Sequence, residues 1–173
     1  VLDGIADTDG RSGEATVRKN KSGIVVKGLH DLAVRFSRCC NPVPGDEIVG
    51  FVTRGRGVSI HRTDCINVIN LPEDERGRLI DAEWQVAENP TSTEQYSTEI
   101  QIFANNRIGL FADISKVFTE KQIDITSMNV RTSKQGRATI IMTFDIHGTE
   151  ELNRITDKIR QIDGVLDIQR TTG

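Results

Sequence analysis

Between Arg35 and Cys65 the chain reads RFSRCCNPVPGDEIVGFVTRGRGVSIHRTDC, and these thirty-one positions hold all three cysteines, Cys39, Cys40 and Cys65, with His61 and five arginines. His30 lies just upstream. Three thiols and an imidazole offer four donor atoms, the number a closed structural zinc site takes. His61 and Cys65 stand four apart at an expected strand-to-helix junction, so one local turn can present both. Cys39 and Cys40 are adjacent, and neighbours on a regular strand point to opposite faces. Both can reach one metal only if the backbone bends at Asn41-Pro42. The alternative is that the cysteines are small buried apolar side chains, the usual state of a free thiol.

A cysteine beside a histidine could also be a nucleophile with its base, Cys39 or Cys40 activated by His61, with Asp64 as orienter. No nucleophile elbow or long pocket-forming loop follows the cysteines, so no residue is assigned a catalytic role. Gly55 and Gly57 read as hairpin punctuation, because neither a lysine nor a helix start follows at phosphate-loop spacing. The arginines carry more promise. Guanidinium forks match phosphate bidentately, and Arg54-Gly55-Arg56-Gly57 forms a slim basic hairpin tip. With few aromatics nearby, backbone or shape readout of structured RNA fits better than base stacking, against the alternative of a solvated rim.

Charge is unevenly spread. Residues 17–62 carry nine Lys or Arg against three acids, residues 63–95 carry two against eight, and residues 96–173 carry ten of each. A local basic excess of this kind suits a polyanion partner. The odd number of cysteines argues against a disulfide framework and for a reducing, cytoplasmic setting. No apolar run approaches the roughly 18 residues of a membrane span. The first residue is Val, with no leader pattern after it, which suggests a piece of a longer polypeptide.

The elements that must position these residues follow from periodicity. The fold class expected is α+β: a small β-rich module with one helix, then a ferredoxin-like βαββαβ domain. Residues 1–23 read as a linker or the end of a preceding domain, 24–86 as the first module, 87–95 as a linker and 96–173 as the second domain. In the first, strands are expected at Ile24–Val26, Leu32–Phe36, Ile48–Thr53, Val58–His61 and Leu79–Val86, with a helix capped by Thr63 or Asp64 running through Val68. Pro42 and Pro44 stiffen the turn after the cysteines.

In the second, Ile100, Ile102 and Ala104 alternate as a strand, and Leu110, Ile114, Val117 and Phe118 recur at helical spacing. Ile123–Thr132 and Arg137–His147 form a hairpin around Lys134-Gln135-Gly136. A helix opens at Thr149-Glu150-Glu151 with Leu152, Ile155, Ile159 and Ile162 on one face, and Val165–Gln169 is the last strand. That order gives a four-stranded antiparallel sheet with both helices on one face.

On these residues the chain resembles a known family. Residues 96–173, with NRIGLFADIS between first strand and helix, are similar to an ACT domain, a regulatory module of many amino-acid-responsive enzymes. The stretch VRFSRCCNPVPGDEIVGFVTRGRGVSIHRTDC resembles the RIS or zinc-finger-like module that precedes the ACT domain in long RelA/SpoT-type enzymes, which make and hydrolyse (p)ppGpp.

The resemblance implies a non-catalytic regulatory part whose parent is a GTP pyrophosphokinase, a (p)ppGpp 3'-pyrophosphohydrolase, or both. It further implies engagement of the ribosome, through large-subunit RNA, and of uncharged tRNA in the stringent response. Arg35, Arg38, Arg54, Arg56, Arg62 and Asp64 are the expected RNA-facing residues, and Cys39, Cys40, His61 and Cys65 the candidate zinc ligands. In the ACT domain a branched-chain amino acid is expected at Asn105, Asn106, Ile108, Gly109 and Leu110. Asn129 and Val130 of a neighbouring copy form the far wall in a homodimer. The runner-up is an amino-acid-binding ACT module of a biosynthetic enzyme.

Overall fold

A computed structural model describes residues 24–26, 33–55, 57–84 and 94–172. The expected segment 1–23, His30, Arg56 and most of the 87–95 linker lie outside the described residues. Among the described residues no helix is long and apolar enough to cross a membrane.

The first sheet has five strands: β1 (Ile24–Val26), β2 (Val34–Phe36), β3 (Ile48–Thr53), β4 (Gly57–Arg62) and β5 (Leu79–Trp84), in the order β1-β5-β3-β4-β2. Only the β2–β4 pairing is parallel. Period-two alternation gives β4 two faces. Val58, Ile60 and Arg62 are buried on one, while Ser59 and His61 lie on the other beside Phe51 and Val49 of β3. Two single-turn helices, α1 (Ile66–Ile69) and α2 (Glu73–Arg76), join β4 to β5, where the sequence suggested one. Cys65, not Thr63 or Asp64, is the N-cap of α1, and no side chain caps it. Asp64 is instead drawn back to the Arg62 guanidinium.

The second sheet comprises β6 (Tyr96–Asn105), β7 (Ile125–Thr132), β8 (Arg137–Ile146) and β9 (Val165–Arg170), antiparallel in the order β7-β8-β6-β9. The helices α3 (Leu110–Glu120) and α4 (Thr149–Arg160) connect them, giving the expected ferredoxin-like βαββαβ order. Ala138, Ile140, Met142, Phe144 and Ile146 are buried along β8, and Ile100, Ile102 and Ala104 along β6. They pack on Leu110, Ile114 and Phe118 of α3 and on Leu152, Ile155 and Ile159 of α4. Gly148, not Thr149, is the N-cap of α4. The carboxylate of Glu151 reaches back to accept the His147 amide at 3.0 Å, one residue before the cap, and no side chain caps Gly148 itself.

The two sheets meet at the turn after the cysteines. Val43, flanked by two prolines, is completely buried in the core of the second domain. Gly45 has φ +103, and a β-carbon there would overlap the Thr149 hydroxyl, so glycine alone permits this approach. The Thr149 amide donates to Pro44 O at 2.8 Å. Asp46 pins the junction: its carboxylate accepts both Arg170 Nη atoms at 2.6 and 2.9 Å and the Val43 amide at 2.9 Å, and its carbonyl accepts Trp84 Nε1 at 3.0 Å. Phe36, Trp84 and Tyr96 close one flank as a mutually packed aromatic trio.

Candidate metal centre and binding surfaces

The backbone bend that the cysteine pair requires is present. Arg38 to Cys40 form a turn, and Asn41 takes φ +46, so both thiols swing toward the same side. β4 supplies His61 from the sheet face opposite Val58 and Ile60, and Cys65 arrives at the start of α1. Cys39 Sγ lies 3.4 Å from His61 Nδ1, 3.5 Å from Cys65 Sγ and 3.9 Å from Cys40 Sγ. Cys40 Sγ is 3.9 Å from His61 Nδ1, and all four donors fall within 4.8 Å of one another. A tetrahedron with metal–sulfur bonds of about 2.3 Å and a metal–nitrogen bond of about 2.0 Å has edges of roughly 3.5–3.8 Å. The donor set fits a metal ion.

The electrostatics around the cluster are divided. Burial raises the thiol pKa of Cys40 and of Cys65. Burial pushes Cys39 the same way, but bonding with Ser37, Asn67, Cys65 and Cys40 outweighs it and holds Cys39 below the usual thiol value. Burial lowers His61, which favours the neutral imidazole, the form that ligates. Cys40 Sγ also accepts the Arg62 amide at 3.3 Å, a bond that suits a thiolate. All three cysteines are free thiols.

The RNA-facing candidates separate into groups. Arg35, Arg38 and Arg54 are exposed. Arg35 pairs in register with Ser59, which puts it on the His61 face of the sheet. Arg62 differs: it is 7% exposed, and its guanidinium is bonded to Cys40 O, Thr171 O and Asp64. That leaves it no free edge for a phosphate, a correction to its place among the expected contacts. The sequence reading passed over Arg78, which sits over the Phe51 ring at 5.8 Å on the same sheet face. An arginine one residue before an apolar strand was the available signal; its half-buried partner Phe51 is not readable from sequence.

At the ACT-like helix start, Asn105, Asn106 and Gly109 are exposed, and Ile108 is fully so. Gly109 takes φ +83 as N-cap of α3, and a β-carbon there would meet only Arg107 Nη1, at 3.7 Å. Leu110, expected to touch a ligand, is instead completely buried in the core because it begins the apolar stripe of α3. Arg107, not singled out from sequence, folds across the loop: Nε donates to Asp163 O, Nη1 to Ile108 O, and Nη2 pairs with Asp113. Asn129 and Val130 lie exposed on β7, the sheet's edge strand.

Residues 24–85 match the family model of the RelA/SpoT RIS domain, and residues 92–170 match that of the ACT domain. A GTP pyrophosphokinase of Streptomyces coelicolor is 40% identical over 150 residues, which are 87% of this chain and 17% of that protein. The GTP pyrophosphokinase of Escherichia coli K12 is 36% identical over 156 residues, 90% of this chain and 20% of that protein. The chain thus spans about a fifth of the length of these relatives. A solution structure of the ACT domain from GTP pyrophosphokinase of Chlorobium tepidum aligns at a TM-score of 0.41 with 22% identity, covering 46% of this chain and 89% of that one.

Proposed function

Because the chain belongs to the RelA/SpoT family, carrying a RIS domain followed by an ACT domain, we propose that it is the carboxy-terminal regulatory part of a (p)ppGpp synthetase or synthetase/hydrolase. In this reading it senses the ribosome and uncharged tRNA and controls a catalytic half elsewhere in the parent, which would act as GTP pyrophosphokinase, (p)ppGpp 3'-pyrophosphohydrolase or both. The observation that carries it is the tandem of the two domains within one stretch similar to GTP pyrophosphokinases over 87% of its length. The runner-up, control of a biosynthetic enzyme, accounts for the second domain but leaves the first without a role.

The exposed arginines Arg35, Arg38 and Arg54, with Arg56 two residues further along the sequence, supply the contacts to ribosomal RNA. The family setting is cytoplasmic. The cysteine cluster holds a structural zinc, which when bound fixes the turn, β4 and α1 relative to one another. Co-sedimentation with ribosomes over a salt series tests the main reading. Replacing Arg54 and Arg56 by Glu is expected to weaken binding at least tenfold and flatten its salt dependence, since each lost phosphate contact releases fewer counterions. Unchanged binding would sink the assignment.

A second reading concerns the ACT domain. The left-handed Gly109 and the fully exposed Ile108 leave an open helix start, which suits the carboxylate and side chain of a branched-chain amino acid. Dimerisation through the β7 edge, where Met128 and Val130 are 38% and 37% exposed, would bring Asn129 and Val130 of a second copy to that ligand.

A further inference from the structure

The three residues that directly follow three of the candidate ligands all grip the same segment of the second domain. Asn41, after Cys40, accepts Arg170 Nη2 on its carbonyl at 3.1 Å. Arg62, after His61, donates Nη1 to Thr171 O at 3.2 Å. Ile66, after Cys65, donates its amide to Thr172 O at 2.8 Å. The last residue of β9 and the two that follow it are thus held by two stretches far apart in sequence, the turn at Asn41 and the Arg62–Ile66 junction of β4 and α1, and the side-chain cluster at Cys39, Cys40, His61 and Cys65 is the place where those stretches converge.

Arg62 ties the two sets together, because the guanidinium nitrogen that reaches Thr171 O also donates to Cys40 O, while its own amide donates to Cys40 Sγ. The turn that begins at Cys40 then runs on to Val43, inside the core of the second domain, and to Asp46, bonded to Arg170.

From this we propose that the cluster is a metal-controlled latch: occupation of Cys39, Cys40, His61 and Cys65 by a soft divalent ion, and seating of the second domain, are one linked equilibrium. The inference rests on the zinc reading above and adds to it a consequence for the other domain. A metal that holds the ligands fixes Asn41, Arg62 and Ile66 in the arrangement that receives residues 170–172, so docking no longer has to order two separate loose stretches. By linkage, a seated second domain strengthens metal binding by the same factor. Loss of the metal, or its transfer to a competing thiol ligand, would loosen the second domain at a site remote from any ligand it binds itself.

The test uses the 173-residue chain with and without zinc, metal content being read by elemental analysis and the junction by two probes distant from the ligands. One is amide exchange at Thr149, whose N–H crosses the junction to Pro44 O. The other is the fluorescence of Trp84, the one tryptophan of the chain, which packs edge-on against Tyr96 of the second domain at 5.5 Å.

Removing zinc is expected to speed Thr149 exchange at least tenfold and to shift the Trp84 emission. Arg62→Met, which keeps all four ligands, should still take up one zinc at saturating metal, with weaker affinity by linkage, yet retain fast Thr149 exchange. Zinc bound with Thr149 and Trp84 indifferent to it would overturn the latch and leave the metal reading standing. No zinc bound would overturn both.

Discussion

Among the described residues, the two sheets bury very different amounts of apolar side chain. Seventeen buried residues form one cluster around the second sheet, and one of them, Val43, is contributed by the first domain. Among the described residues the first sheet is backed by one cluster of four buried residues and a second of three, two of which are cysteines. A unit of this size with so thin a core lies where metals or partners commonly supply the missing stability. Its polar groups are correspondingly busy: a four-donor cluster on one side, and on the other a partly buried ion pair and a proline-framed plug into its neighbour. The second domain supplies sixteen of those seventeen core residues itself and takes only Val43 from its neighbour. What each domain lacks thus predicts where it breaks first.

The largest effect is expected from the metal. A thousandfold excess of free zinc over its dissociation constant stabilises the folded state by about 4 kcal/mol. Calorimetric melting with zinc and with a chelator should therefore show the first domain's transition falling sharply while that of the second falls less. Transitions that ignore the chelator would mean that the thin first core suffices, with the cysteines as plain buried side chains.

Next is the junction. Arg170 and Asp46 are 17% and 10% exposed and bonded through both guanidinium Nη atoms. Arg170→Met leaves the partly buried Asp46 carboxylate with only the Val43 amide, a loss smaller than the roughly 3–5 kcal/mol for removing one partner of a fully buried pair. Urea unfolding reads it. The double variant with Asp46→Asn should cost less than the sum of the singles, because the orphaned charge is gone. Additive losses would mean that the two side chains act separately and that the domains are only tethered.

A smaller effect separates close approach from backbone strain. Gly45→Ala must both adopt φ +103 and displace Thr149, whereas Gly55→Ala, at φ +77 with open space around it, meets the strain alone. Strain of this kind costs about 1–3 kcal/mol. Gly45→Ala should be the worse of the two, and Thr149→Ala in the same chain should recover part of the difference. Equal losses would show that the plug is not tightly seated.

The second domain was legible because its core is written in local periods: β8 alternates through five buried residues, and α3 and α4 carry stripes at helical spacing. The ligand set was legible by type, since only three cysteines exist and one histidine stands at turn spacing from the last. The junction was not. Asp46 and Arg170 lie 124 residues apart, and no periodicity links them.

Arg62 looked like its neighbours in a basic stretch until the fold buried it behind Cys40 and Thr171. A faint signal did exist in Pro42-Val43-Pro44, where an apolar residue held rigid in a polar turn asks for something to cover it. The helix caps were misplaced by a residue or more because backbone geometry at Cys65 and Gly148 does the work that hydroxyl and carboxylate side chains were expected to do.

The smallest effect on stability comes from the ACT helix start, where it sharpens the contrast between a domain closed on itself and a surface left open. Ile108 is fully exposed, so Ile108→Asp should change unfolding stability by no more than about 0.5 kcal/mol. If a branched-chain amino acid binds there, the same change removes the apolar contact and sets a carboxylate against the ligand's own. Calorimetric heat with valine, isoleucine or leucine should then vanish while the fold is intact.

Tryptophan at position 109 is a poorer probe, since φ +83 strains any side chain there, whether or not a ligand competes for the space. Asn129→Ala on the edge strand gives the complementary arm. It should weaken binding only when two copies associate, which sedimentation of the chain with and without ligand reports. Heat that survives Ile108→Asp would move the site away from the helix start. No heat at millimolar ligand would leave Gly109 and Arg107 as the means by which β6 turns into α3: the glycine supplies the left-handed step, and the arginine bonds to Asp163, Ile108 and Asp113 hold it.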